Sequence, residues 1–263
     1  MVCLPGKARP RFALPAAPFL ILPVLFFLPL PATFGQVLAT QKIFWLSYCA
    51  DHPLSSPRWG LHFDGSYRPT AGSSARQWLV RPGVNLGITP RLQLSLTYSY
   101  FDTHPNGLER DEGETREHRM HQQLEYSVPW RRTVLRHRFR MEERWLSTPR
   151  HNGSIPSWRW QDRPRYMLRM DLPVRRNGPL APVLTLYDEI LFSFASPTGS
   201  AFEQNRIYSS LTWKLRPGLS FETGAMHQAL KSPAGPFRHN VIFLLMLRNN
   251  LPLQSLLPLR RGS

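Results

Sequence analysis

A chain of 263 residues that is 42% hydrophobic and 12% aromatic has enough apolar surface to fold, which excludes wholesale disorder. Its 26 prolines and 16 glycines interrupt it so often that no amphipathic helix of ordinary length is visible after residue 42, which points to an all-β chain. A formal charge of +16 would suit nucleic acid as a partner, but the arginines are interleaved with acids on the same segments and the chain begins like an exported protein, so that class is set aside.

In chain order, Lys7, Arg9 and Arg11 precede an uncharged stretch from Phe12 to Gln41 centred on "FLILPVLFFLPLP". This is the layout of a secretory signal peptide over residues 1–35, with cleavage near Gly35 or Gln36. A retained membrane helix is the alternative, but Pro15, Pro18, Pro23, Pro29 and Pro31 would remove hydrogen bonds that lipid cannot replace. Removing residues 1–35 takes away three basic groups and no acid, so the excess falls from +16 to +13. It also removes Cys3, leaving Cys49 alone and without an intrachain disulfide. The segment "QKIFWLSYCA" at 41–50 reads either as a periplasmic lead-in or as part of a further strand.

From residue 58 the dominant pattern is strict two-residue alternation, the period of a strand. In 91–100, Leu92, Leu94, Leu96, Tyr98 and Tyr100 oppose Gln93, Ser95, Thr97 and Ser99. In 115–128, Glu117, Arg119, His121, Gln123 and Glu125 oppose His118, Met120, Gln122, Leu124, Tyr126 and Val128. In 135–145, Arg136, Arg138, Arg140, Glu142 and Arg144 oppose Leu135, His137, Phe139, Met141, Glu143 and Trp145. In 163–174, Arg163, Arg165, Met167, Arg169 and Asp171 oppose Tyr166, Leu168, Met170, Leu172 and Val174. Noisier versions run through 58–68, 75–88, 181–194, 203–215, 218–230 and 237–248. A tilted strand needs about 9–11 residues to cross a bilayer, and these segments reach that length.

Such strands suit a soluble barrel with its apolar face inward or a membrane barrel with its apolar face outward. The connections separate the two. Short turns at 88–91, 129–132, 175–180 and 216–218 alternate with longer links at 68–75, 102–114, 147–162, 195–202 and 231–236, as in barrels with tight periplasmic turns and longer outer loops. Trp59, Tyr67, Tyr100, Trp130, Trp145, Trp160 and Trp213 fall near strand ends, where interfacial aromatics belong. The expected fold is an all-β, closed antiparallel transmembrane barrel of 10–12 strands over residues 36–250, followed by a tail at 251–263. If the short turns are periplasmic, parity gives ten strands, or twelve with a strand at 41–50 and one more not located.

The series "EHRMHQQL", "LRHRFRMEERW", "RPRYMLRMDLPV", "LYDEILF", "FEQNRIYSSLTWKL" and "LSFETGAM" resembles a family of bacterial outer-membrane β-barrel proteins known as domain of unknown function 2490. The resemblance runs in order over about residues 41–248. It implies an exported barrel in the outer membrane of a Gram-negative bacterium, with no activity assigned. The chain departs from the family in lacking a terminal aromatic strand signal and in carrying the tail "NNLPLQSLLPLRRGS".

Arginines facing hydrocarbon would each cost about 2–4 kcal/mol near the midplane, so the face bearing Arg136, Arg138, Arg140 and Arg144 must be the lumen or an interface. Glu117, Arg119, Gln123, Glu142, Arg165, Glu189, Arg206 and Glu222 are its expected neighbours, since stacked carboxylates satisfy the fork-shaped donors of arginine across adjacent strands. The network either fills and holds a narrow barrel or lines a passage for small solutes, anions among them. His137, Glu143 and Asp188 fall on the expected lipid face; Asp188 there calls for a local bulge. No cofactor or metal motif is visible: His118 and His121 point to opposite faces of their strand. No nucleophile sits at a recognisable spacing from a base, so no enzyme is expected. The partners expected are outer-membrane lipid, lipopolysaccharide and the barrel-assembly machinery. The rival classes are a lipid-modifying membrane enzyme and a soluble periplasmic ligand-binding barrel.

Overall fold

The computed structural model describes residues 38–54, 56, 58–105, 113–149, 156–174, 181–194, 201–231 and 237–256. The signal segment expected at 1–35, the short turn expected at 175–180 and the end of the tail lie outside these residues. Among the described residues eleven strands follow one another: β1 (Leu38–Pro53), β2 (Trp59–Pro69), β3 (Arg76–Thr89), β4 (Leu92–His104), β5 (Thr115–Trp130), β6 (Thr133–Ser147), β7 (Trp158–Pro173), β8 (Val183–Phe192), β9 (Phe202–Arg216), β10 (Leu219–Lys231) and β11 (Phe237–Asn249). Each pairs with its sequence neighbours, and β1 meets β11, so the sheet closes into a barrel.

The closing pair is parallel, from Gln41 opposite Asn240 to Ala50 opposite Asn249. The segment at 41–50 is therefore a strand and not a lead-in, and the count among the described residues is eleven, within the expected 10–12 but not one of the even numbers that parity allowed. An even count presumes that all neighbours are antiparallel. Closure itself asks only that no edge be left with unpaired N–H and C=O groups, and a parallel ladder meets that demand.

The alternation in the sequence sets the faces. Phe44, Leu46, Phe63, Val80, Leu96, Phe139, Ile207 and Phe243 are exposed on the outer wall, while residues of opposite parity on the same strands turn inward, among them the buried Cys49, Asp64, Leu79, Ser99, Glu142, Tyr208 and Ile242. The interior has two halves. Strands β9, β10, β11 and β1 fill theirs with Tyr208, Met226, Ile242 and Leu244, packed by Ile43, Trp45, Tyr187 and Met246. Strands β5 to β9 fill theirs largely with arginines and carboxylates.

One rim carries the tight turns β3–β4, β5–β6 and β9–β10; Arg131 (φ 55°) and Gly218 (φ 75°) adopt left-handed backbone in the last two. The start of the C-terminal tail lies on this same rim. The Asn250 amide donates to the Gly218 carbonyl at 2.6 Å, His52 Nδ1 donates to the Leu251 carbonyl at 2.7 Å, and a single helical turn, α1 (Leu253–Leu256), follows. Longer connections, and the start of β1, occupy the opposite rim.

Candidate functional site

The inward charges of β5 to β9 converge on Glu142, whose side chain is 0% exposed. It stands on β6 between His121 of β5 and Arg163 of β7. Arg163 donates to Oε2 through Nε at 2.8 Å and through Nη2, and Arg165 donates to Oε1 through Nη1. Arg119 and Arg140 each approach to 3.8 Å, and His121 Nδ1 lies 3.4 Å away while its Nε2 shares a 2.8 Å hydrogen bond with Ser99 Oγ.

Arg165 links this centre to a second carboxylate, Glu189 on β8, donating through Nε at 3.0 Å and through Nη2 at 2.6 and 2.7 Å. Glu189 also accepts from Arg138 Nη2 at 2.7 Å, across the intervening β7, and has Arg206 at 3.5 Å. Glu117 takes a two-pronged contact from Arg119, at 2.6 and 2.7 Å, and accepts from Arg144 Nε. Glu203 accepts from Arg163 Nη1 at 3.1 Å and Arg144 Nη1 at 3.4 Å. Paired, planar contacts of this kind are what fix arginine direction and strand register.

Glu203 reaches the lumen because of a bulge. Leu191 pairs with Gln204 and Phe192 with Phe202, leaving Glu203 as the extra residue of β9. An extra residue in one strand re-aims its side chain, here toward Arg144 and Arg163.

Of the residues expected from sequence, Glu117, Arg119, Gln123, Arg138, Arg140, Glu142, Arg144, Arg165, Glu189 and Arg206 join this connected network, Gln123 by accepting from Arg140 Nε at 2.9 Å. Two do not. Arg136 lies nearer the short-turn rim, 3.4 Å from Asp171 and 3.9 Å from Glu125. Glu222 belongs to the other half of the barrel, where it accepts from Tyr208 Oη at 2.7 Å, Ser210 Oγ at 2.8 Å and Arg248 Nε at 2.6 Å. The network also contains Arg163, His121 and Glu203, absent from the expected set. Parity alone would have found Arg163 and His121; the bulge hid Glu203.

Seven arginines (119, 138, 140, 144, 163, 165, 206) share four glutamates (117, 142, 189, 203), so the network carries surplus positive charge. Aromatic faces lie against two of these arginines: the Arg119 guanidinium is 3.7 Å from the Phe101 ring centre, and that of Arg206 is 5.9 Å from the Trp45 ring centre. Glu142, Glu189 and Glu222 are at most 1% exposed, so these three carboxylates are enclosed by protein atoms.

Asp188 faces outward without the bulge that its position suggested; β7 and β8 stay in register through Leu168 opposite Asp188. Its carboxylate accepts from Asn205 Nδ2 at 2.6 Å, a second polar group on the outer wall, which offsets the cost of its exposure there. His137 shares a 2.9 Å hydrogen bond with Tyr166 Oη, and Glu143 accepts from Gln122 at 3.2 Å beside the Trp145–Trp160 pair near the long-loop rim.

The model of a family described as a protein of unknown function (DUF2490) matches residues 42–239. The chain belongs to this family. The match begins inside β1 and ends three residues into β11, so it takes in the ionic half of the barrel and stops short of the β11 run from Asn240 to Asn249 that pairs with β1. No curated protein matches the chain. Among solved structures it is similar to the siderophore receptor PirA from Pseudomonas aeruginosa, at 15% identity and a TM-score of 0.28, over 68% of this chain and 32% of that one. It is also similar to a point mutant of the ferric enterobactin receptor PfeA from Pseudomonas aeruginosa, at 12% identity and a TM-score of 0.29, over 74% of this chain and 40% of that one. The chain thus spans well under half the length of these receptors.

Proposed function

We propose that this family member is an exported outer-membrane barrel whose lumen is closed by its own side chains and whose role is structural within the membrane. The observation that carries the reading is the inversion of a soluble protein's faces: Glu142 and Glu189 are enclosed while Phe139, Ile207 and Phe243 are exposed. The exposed apolar band is bordered by Trp59, Trp130 and Trp213 toward the short-turn rim and by Trp78, Trp145, Trp158 and Trp160 toward the other, an arrangement suited to two membrane interfaces. Residues 1–35 act as the export signal, and the partners are outer-membrane lipid, lipopolysaccharide and the assembly machinery that inserts barrels.

Two measurements test this reading. The protein should partition with the outer membrane and migrate differently in gels before and after boiling; recovery as a soluble periplasmic pool refutes membrane insertion. Folded protein in planar bilayers should pass no steady current, because a lumen closed by its own side chains leaves no water column. A reproducible anion-selective conductance would instead favour passage, for which the surplus positive charge of the network would be the selectivity device.

A further inference from the structure

A second cluster lies at the short-turn mouth of the lumen, apart from the arginine network. Cys49 and Asp51 sit two residues apart on β1 and so share its inner face, and His62 on β2 stands directly opposite Asp51. One donor atom from each, the Cys49 sulfur, an Asp51 oxygen and a His62 ring nitrogen, lie within 4.8 Å of one another. We propose that Cys49, Asp51 and His62 form a three-ligand site for a borderline-soft divalent metal ion such as Zn²⁺, with its fourth position open to solution.

Donor chemistry and surroundings both support this assignment. One thiolate, one imidazole and one carboxylate make a mixed set that suits Zn²⁺ and its neighbours and suits Mg²⁺ or Ca²⁺ poorly. A tetrahedral zinc ion holds its ligand atoms about 3.5 Å apart, so separations of up to 4.8 Å need to shorten by about 1 Å while the His62–Asp51 pair opens by less than that, both within the reach of side-chain rotation. His62 Nδ1 and Asp51 Oδ1 are already 2.8 Å apart, a hydrogen bond the ion would replace. The ligands have oriented supports: Asn85 Nδ2 donates to Asp51 Oδ1 at 2.7 Å, and Arg248, held by Glu222, points Nη1 at the Cys49 sulfur from 4.0 Å. Such outer contacts orient ligands and favour the thiolate. Access comes through Asp51, whose side chain is 43% exposed, while Cys49 is buried. Binding expels the thiol proton to solvent as the metal–sulfur bond forms, so the thiol is held as a metal thiolate without any redox step.

The test uses the full folded chain in detergent, stripped with chelator and titrated with Co²⁺, a spectroscopic stand-in for Zn²⁺. The expected result is one Co²⁺ per barrel with a thiolate-to-cobalt charge-transfer band that Zn²⁺ abolishes. Cys49→Ser removes the band. Asp51→Asn and His62→Gln each weaken binding by more than about tenfold, and Asn85→Ala by about tenfold. Circular dichroism verifies that each variant is folded; should Cys49→Ser fail to fold, the other two ligand variants decide the matter. The proposal is overturned if folded wild-type protein gives no band, or if the band and affinity are unchanged in Asp51→Asn and His62→Gln.

Discussion

Replacing Glu142 by glutamine removes one negative charge from the point where guanidinium groups of three strands meet. Three direct hydrogen bonds arrive there, two from Arg163 and one from Arg165, and bonds to charged groups contribute about 1.5–3 kcal/mol each. They are not lost in full. Glutamine keeps one acceptor oxygen, Glu203 still holds Arg163, and Glu189 still holds Arg165. Breaking a buried pair from one side costs about 3–5 kcal/mol, because the remaining charge is left without compensation, and the retained contacts place Glu142→Gln near the lower figure. The network's surplus of positive charge rises from three to four by the same substitution. Glu125→Gln is the matched control: its nearest guanidinium is 3.9 Å away and its side chain is a quarter exposed, so its loss should stay within about 1 kcal/mol. Urea unfolding of protein refolded into lipid vesicles, followed by tryptophan fluorescence, reads both. If Glu142→Gln is as stable as Glu125→Gln, the arginines are held by something other than this carboxylate, and the account of the network as the barrel's internal brace fails.

Phe139→Arg puts a guanidinium on the outer wall and should cost about 2–4 kcal/mol in vesicles if that wall meets hydrocarbon; an unchanged urea midpoint would mean water lies there. At Gly224 an added Cβ would come within 2.6 Å of the Ser209 carbonyl, Ser210 Cβ and Tyr208 Oη, so Gly224→Ala should lose about 1–3 kcal/mol by overpacking. Gly65→Ala meets nothing nearer than Phe63 Cε1 at 3.5 Å and should be tolerated, so equal losses in the same unfolding assay would contradict the packing described. Gly218→Ala strains a left-handed turn by about 1–2 kcal/mol and drives its Cβ to 2.7 Å from Leu251 Cδ2. It should release the tail to limited proteolysis ahead of the barrel, and equal cleavage rates in both proteins would show that the tail is not held by this turn.

The wall of the barrel was legible because a strand has a period of two and the sequence keeps that period where one face is charged. From Arg136 to Arg144 every second residue belongs to the lumen, and no knowledge of partners was needed to see it. Periodicity fails in three physical situations. It cannot give the direction in which strands far apart in sequence meet, so the parallel pairing of β1 with β11 was invisible. It is broken by an inserted residue, which is why Glu203 was missed and why a bulge expected at Asp188 lies instead between Leu191 and Phe192. It is silent where both faces are apolar. In "NVIFLLML" the inward Ile242, Leu244 and Met246 look no different from the outward Phe243 and Leu245, so the apolar half of the interior left no alternation to read.

That apolar half coincides with the seam, and a physical reason connects the two. A parallel ladder is slightly less stable per residue than an antiparallel one, and β1 and β11 are brought together only after almost the whole chain has been laid down. Ion pairs would help little at such a junction, because they demand a fixed register and are costly when a partner is out of place. Apolar burial is non-directional and rewards contact before register is perfected. Inside the seam Ile43 and Trp45 of β1 meet the cluster of Ile242, Leu244 and Met246 of β11; outside it Phe44 stacks on Phe243 with ring centres 5.6 Å apart. Among the described residues, directed side-chain contacts across the seam lie near the short-turn rim, where Asn249 Nδ2 donates to Tyr48 Oη at 3.0 Å and Arg248 Nη1 points at the Cys49 sulfur. Strands β5 to β8, by contrast, pair with neighbours that the chain supplies directly before and after them, and there the interior is given to arginine and glutamate, whose geometry fixes which residue faces which. The division of the lumen follows from how each pair of strands is brought together: hydrophobic contact where closure must be found, charge where alignment must be enforced.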